Sequence, residues 1–166
     1  MTGYGKMPEY GQSLATLRMV GAQHGYYKPS DWQSCAQVDV VLDAWVDMLD
    51  KSNGIALKMA GGGCTPEEAM KEHQGVIERV HVPTLKVMEA QLTANGGPYI
   101  AGNFVSIADC AMVAMLVNIW ENPAGPWKAQ FEPVLAQYPK VTAYNLALRE
   151  AFKERLNDPA RKPCPF

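Results

Sequence analysis

A single acid, Asp109, stands in the stretch NFVSIADCAMVA, Asn103 to Ala114, among small apolar side chains. A lone carboxylate in such company is a general acid or base, a metal ligand or a helix cap. Acid–base catalysis and metal binding both need a second polar group converging on the same point, and the stretch supplies no such partner. Ser106, three residues earlier, supplies the Ser-x-x-Asp spacing of a capping box. In that arrangement the serine hydroxyl takes the Asp109 amide and the carboxylate reaches back to the Ser106 amide. Val105 and Cys110 fall at the staple positions on either side. Ser106 and Asp109 therefore read as a structural cap.

The remaining reactive side chains are scattered. His24, His73 and His81 lie on different helical segments with no Cys, Asp or Glu at ligand spacing, so they read as packing or surface residues and no metal site is expected. GGGC, Gly61 to Cys64, lacks the Lys-Ser/Thr of a phosphate loop and reads as a connector. Four cysteines, Cys35, Cys64, Cys110 and Cys164, stand far apart, a pattern of free thiols in a reducing compartment. Trp32, Trp45, Trp120 and Trp127 and the methionines read as core filling.

The elements that must position these residues are helical. Helix signals run from Ser13 to about Gly25, with Leu14, Leu17 and Gly21 on one face. After a connector with Asp31 as cap, Val38, Val41, Leu42, Trp45, Val46 and Leu49 form an apolar stripe at helical spacing. Thr65 and Pro66 open a further helix toward Asn95, with Glu67 and Glu68 at its positive end. Pro83 inside it removes a backbone donor, so a bend or a split is expected. NGGP at Asn95 to Pro98 is a stop. The helix from Ile107 to about Trp120 carries no charge after Asp109 and is expected to be buried on all sides. NPAGPW interrupts the chain, and a last amphipathic helix runs from about Pro139 to Leu156. The fold class is all-α.

Length and composition limit the function. The chain has 166 residues, enough for a core, and 48% hydrophobic against 19% charged residues is a globular balance. A net charge of −2 without blocks of like charge disfavours a nucleic-acid footprint. No apolar run reaches the length of a membrane span, and no secretory signal is visible, so an intracellular chain, soluble or peripheral in an assembly, is expected.

Three segments in order, GQSLATLRMVGAQHGYY, NGGPYIAGNFVSIADCAMVAML and QYPKVTAYNLALREAF, resemble the glutathione S-transferases. The resemblance implies a helical bundle like that family's C-terminal domain over 29–166. It also implies that 1–28 is a remnant of a thioredoxin-like domain whose last helix is 13–25. In that family the Gln-Ser pair holds the γ-glutamyl end of glutathione, and Gln12 and Ser13 match it. The residues themselves admit two readings: a carboxylate held against Ser13 and helix-start amides, or Ser13 capping its own helix.

Departures from the family pattern lie upstream. Met7-Pro8 is similar to the family's proline step, but too few residues follow it for the hairpin found there. Tyr4 and Tyr10 lack the context of a thiol activator, so no catalytic residue is assigned. The expectation is a non-catalytic structural or interaction subunit in a larger assembly, homo- or hetero-oligomeric. Other protein chains are expected on the Gln12–Gly25 helix and the N-terminal segment, through Met19 and Val20. No cofactor is required on this reading, and glutathione is the ligand the resemblance implies. The alternatives are a glutathione transferase completed by an N-terminal half or a partner chain, and an assembly module like the transferase-like domains of translation factors and aminoacyl-tRNA synthetases.

Overall fold

The computed structural model describes residues 12–161. The readings made on Met7-Pro8, Tyr4, Tyr10 and Cys164 lie outside these residues. The architecture is a helical bundle: α1 (Ser13–His24), α2 (Trp32–Ala60), α3 (Pro66–Val76), a π-helical turn π1 (Ile77–His81), α4 (Val82–Asn95), α5 (Ile107–Met115), a second π turn π2 (Leu116–Trp120), α6 (Lys128–Leu135), α7 (Pro139–Ala151) and α8 (Lys153–Leu156). No strand occurs among the described residues; an isolated bridge pairs Tyr99 with Gly102. No helix among them is long and apolar enough to cross a membrane.

Local chemistry explains where the helices start. The Asp31 carboxylate accepts the Ser34 amide at 3.1 Å and opens α2. Thr65 and Glu68 form a full capping box at α3, with Pro66 at the first helical position, where its missing N–H costs nothing. The start of α7 is capped from a distance. Glu89 on α4 accepts the amides of Lys140 at 3.0 Å and Val141 at 2.9 Å, so one carboxylate fixes the angle between two helices.

Pro83 splits its helix as its chemistry requires. Proline lacks an N–H and its ring crowds the carbonyl four residues back. The chain responds with π1, in which the Val82 amide donates to Ile77 five residues back, and α4 then resumes. The helix from Ile107 likewise changes to a π turn, the Glu121 amide donating to Leu116 at 2.9 Å. Two boundaries differ from those read in the sequence. The terminal helix breaks at Phe152 into α7 and α8, and α6 appears where none was expected, carrying Pro133 within it.

The core is built around α5. Ile107, Ala108, Met112, Met115 and Leu116 are buried against Val38, Val41 and Leu42 of α2, with Val141, Tyr144 and Leu148 of α7 in the same cluster. The α5 surface is not sealed all round, since Cys110 and Ala114 remain half-buried. At the start of α5, Asp109 is fully buried and closes the capping box with Ser106. Its Oδ2 accepts the Ser106 amide at 2.7 Å and the Ser106 hydroxyl at 2.6 Å, and its Oδ1 accepts the Ile100 amide at 3.2 Å. The carboxylate thus ties the preceding loop to the helix. Burial raises its pKa, and these hydrogen bonds oppose the rise.

Helix α1 docks on α5 through Gly21. A Cβ at Gly21 would lie 2.3 Å from Ile107 Cγ2, so only glycine permits this approach. The Ile107 amide also donates to the Tyr26 carbonyl at 3.0 Å, and Lys28 Nζ sits 3.7 Å from the centroid of the Phe104 ring.

Two stability predictions follow from this geometry. Asp109→Ala removes one arm of the cap and strands buried donors on Ser106 and Ile100. Urea unfolding should show a loss of about 2–4 kcal/mol. Gly21→Ala overpacks the α1–α5 contact, and the same measurement should show a loss of about 1–3 kcal/mol.

Candidate functional site

Gln12 and Ser13 lie at the exposed start of α1. Gln12 has extended backbone and its side chain makes no capping bond. It contributes its carbonyl, to the Thr16 amide at 3.1 Å and the Thr16 hydroxyl at 3.2 Å. The first amides of α1 therefore face outward without a side-chain cap, an arrangement that favours an anion. Arg18, the cation of this helix, points to α2, with Nε 2.8 Å from Asp39 and a terminal nitrogen 3.4 Å from Asp43. The Tyr27 hydroxyl donates to the other Asp39 oxygen at 2.8 Å. The hydrogen bond to Asp39 holds the Arg18 pKa up. Burial, then that same carboxylate, raises the Tyr27 phenol. This triad fastens α1 to α2.

Ser106 caps α5 and Asp109 lies in its first turn, both buried and bonded to each other, with Ile100 donating to Asp109. No oxygen of that carboxylate faces solvent. The Tyr144 hydroxyl, buried beside it, completes no hydrogen bond; burial and the neighbouring charge raise the phenol pKa well above its usual value.

Two of the three histidines, read in the sequence as unconnected, come together. His73 and His81 are fully buried with ring centroids 6.1 Å apart, and both aim Nε2 at the Ser52 hydroxyl at 3.1 Å. His73 Nδ1 lies 2.9 Å from Gln130 Oε1, and Gln130 Nε2 donates to the Met70 carbonyl at 2.9 Å. Trp120 Nε1 donates to His81 Nδ1 at 3.3 Å. Trp127 stacks on His73 at 3.9 Å, and Phe131 packs edge-on against both imidazoles. His24 stays exposed at the end of α1.

The π turn explains why the pair was hidden. Eight residues of α-helix place two side chains about 80° apart around the axis. A π turn absorbs roughly one residue, which returns His81 to the His73 face. Trp120, likewise, is the last residue of π2. Ser52 and Gln130 are distant in sequence, and no local spacing marks them.

Burial lowers the pKa of His73, with Gln130 opposing. Burial, then the neighbouring His73, pushes His81 down to about 3. Both rings are therefore neutral at pH 7. A serine between two imidazoles has the composition of an activated nucleophile. Here Ser52, His73 and His81 are all fully buried, so substrate has no access to the hydroxyl. No group of three or more His, Cys, Asp or Glu able to hold a metal ion occurs among the described residues.

Comparison with known proteins agrees with this architecture. The family described as glutathione S-transferase, C-terminal domain, matches residues 58–155. A solved structure described as that of NaGST-2 superposes with a TM-score of 0.65 at 19% identity, covering 93% of this chain and 71% of that one. No curated protein sequence matches. At that identity the superposition speaks to the fold. The matched span runs from the end of α2 to the end of α8 and includes the Asp109 cap and both π turns. The chain belongs to the glutathione S-transferase C-terminal domain family.

Proposed function

We propose that the chain acts as a non-catalytic interaction subunit built on the transferase-type helical bundle, joining other protein chains through α1 and the start of α2. The observation that carries this reading is the apolar surface there. Val20 on α1 is 37% exposed, Tyr26 is 46% exposed, and Trp32 at the head of α2 is 72% exposed. Met19 is half-buried. Exposed large apolar side chains on these successive segments are the residue types an interface core uses. Arg18, Asp39 and Tyr27 bind α1 and the connector after it to α2, the elements that carry these side chains.

A second reading has its own support. The uncapped amides of α1 beside Gln12 and Ser13 suit a carboxylate, and the chain shares its family with the glutathione transferases. On this reading α1 contributes one wall of a glutathione site, and the rest comes from a thioredoxin-like half or a partner chain.

Two measurements separate the readings. Sedimentation of the purified chain should show association that Trp32→Ser and Val20→Ser weaken by about tenfold or more, the scale of one interface anchor. A monomer indifferent to both substitutions would count against the interaction surface. Conjugation of glutathione to chlorodinitrobenzene should be negligible with the chain alone. Turnover that falls with Ser13→Ala would establish the second reading instead.

A further inference from the structure

We propose that Trp120, His81, Ser52, His73 and Gln130 form a one-way hydrogen-bond chain that acts as an acid-sensitive latch. It holds the two π turns against α2 and α6 at neutral pH and releases them when an imidazole takes up a proton. The latch is independent of what the α1 surface binds.

The direction of the chain is forced from both ends. The indole N–H of Trp120 can only donate, so His81 Nδ1 must accept and His81 carries its hydrogen on Nε2. That hydrogen goes to Ser52 Oγ, and the Ser52 hydroxyl is left to donate to His73 Nε2. From the other end, the Met70 carbonyl can only accept. It fixes the Gln130 amide nitrogen there and turns Oε1 toward His73. His73 must then carry its hydrogen on Nδ1, with Nε2 free to accept. The two derivations meet at Ser52 without a conflict, and every donor has one acceptor.

An added proton has no place in this chain. On His81 Nδ1 it would face the Trp120 N–H, donor against donor. On His73 Nε2 it would make Ser52 accept from both rings and leave the hydroxyl hydrogen with no acceptor in the network. The surroundings offer no compensation. From α2 the rings meet Ser52, from π2 Trp120, from α6 Gln130 and Phe131, and from the loop before α6 Trp127. No carboxylate, lysine or arginine among the described residues bonds to either ring. The titratable group facing each imidazole is the other imidazole. Each π turn ends on a member of the chain, His81 for π1 and Trp120 for π2, and the bond between those two residues joins the turns.

The sign of the pH dependence follows by linkage. An unfolded histidine titrates near 6.5, and the folded values are depressed, to about 3 for His81. Stability is fully present above pH 6.5 and is lost as pH falls from there toward the folded values, because the unfolded chain binds more protons.

Imidazole nitrogen NMR on the labelled chain and urea unfolding between pH 7 and pH 5 test the latch. The folded protein should show His81 as the Nε2–H tautomer and His73 as the Nδ1–H tautomer, with His81 not titrating in this range. The rise in the unfolding constant from pH 7 to pH 5 should be about twenty-five-fold larger in the wild type than in His81→Gln, which lacks the imidazole held at about 3. Carboxylates common to both proteins cancel in that comparison. Amide exchange should report opening at 77–82 and 116–121 before α7 as the pH falls. The opposite tautomer on either ring, titration of His81 in the folded state near pH 6, or protection of the two π turns that does not change with pH would each overturn the proposal. If His81→Gln does not fold, the tautomers and the exchange pattern of the wild type decide alone.

Discussion

The buried carboxylate of Asp109 is the constraint on which the bundle is organised. It accepts from the Ser106 amide and hydroxyl and from the Ile100 amide, all within the protein interior. A charged acceptor in a dry setting binds its donors strongly and costs much if they are lost. The helix it starts supplies the centre of the core, and the residue next to its cap, Ile107, receives α1 through Gly21 and the Tyr26 carbonyl. One acid thus sets the start of α5, the path of the loop before it, and the seat on which α1 rests.

Pro83 and Pro133 show how the chain tolerates a local fault. Pro83 cannot sit in an undisturbed α-helix, and π1 removes the conflict just upstream. The altered register is then used, because it carries His81 round to meet His73 and Ser52. A backbone accommodation and a buried polar network are here the same event. Pro133 in α6 leaves Gln130 and Phe131 upstream of it free to complete that network.

Signals that act within one turn of helix were legible in the sequence. Asp31, Thr65 with Pro66 and Ser106 with Asp109 all mark helix starts, and of the stripe from Val38 to Leu49 the residues Val38, Val41 and Leu42 lie on the buried face of α2 while Trp45, Val46 and Leu49 are half-buried. Pro83 showed where the third long helix would break. Contacts between distant segments were not legible. Glu89 looks like an ordinary surface acid on α4, yet it caps α7. His73 and His81 looked unrelated because helical spacing of eight separates them, and only the π turn aligns them. Helix α6 was not read in the sequence, where NPAGPW was followed only by the last helix; it is short and carries Pro133 within it. For Gln12 and Ser13 the sequence showed the residue types, and the structure shows an exposed helix start.

The Asp109 knot also has a kinetic meaning, through the lengths of chain that its bonds enclose. They span three and nine residues, whereas His73 to Gln130 spans 57 and Glu89 to Val141 spans 52. The entropy of closing a loop grows with its length, and contacts between near neighbours form fastest. The knot can therefore assemble while the rest of the chain is still open, and so place α5 before the distant helices arrive. The long-span ties close last and set how tightly the finished bundle is held rather than which bundle forms.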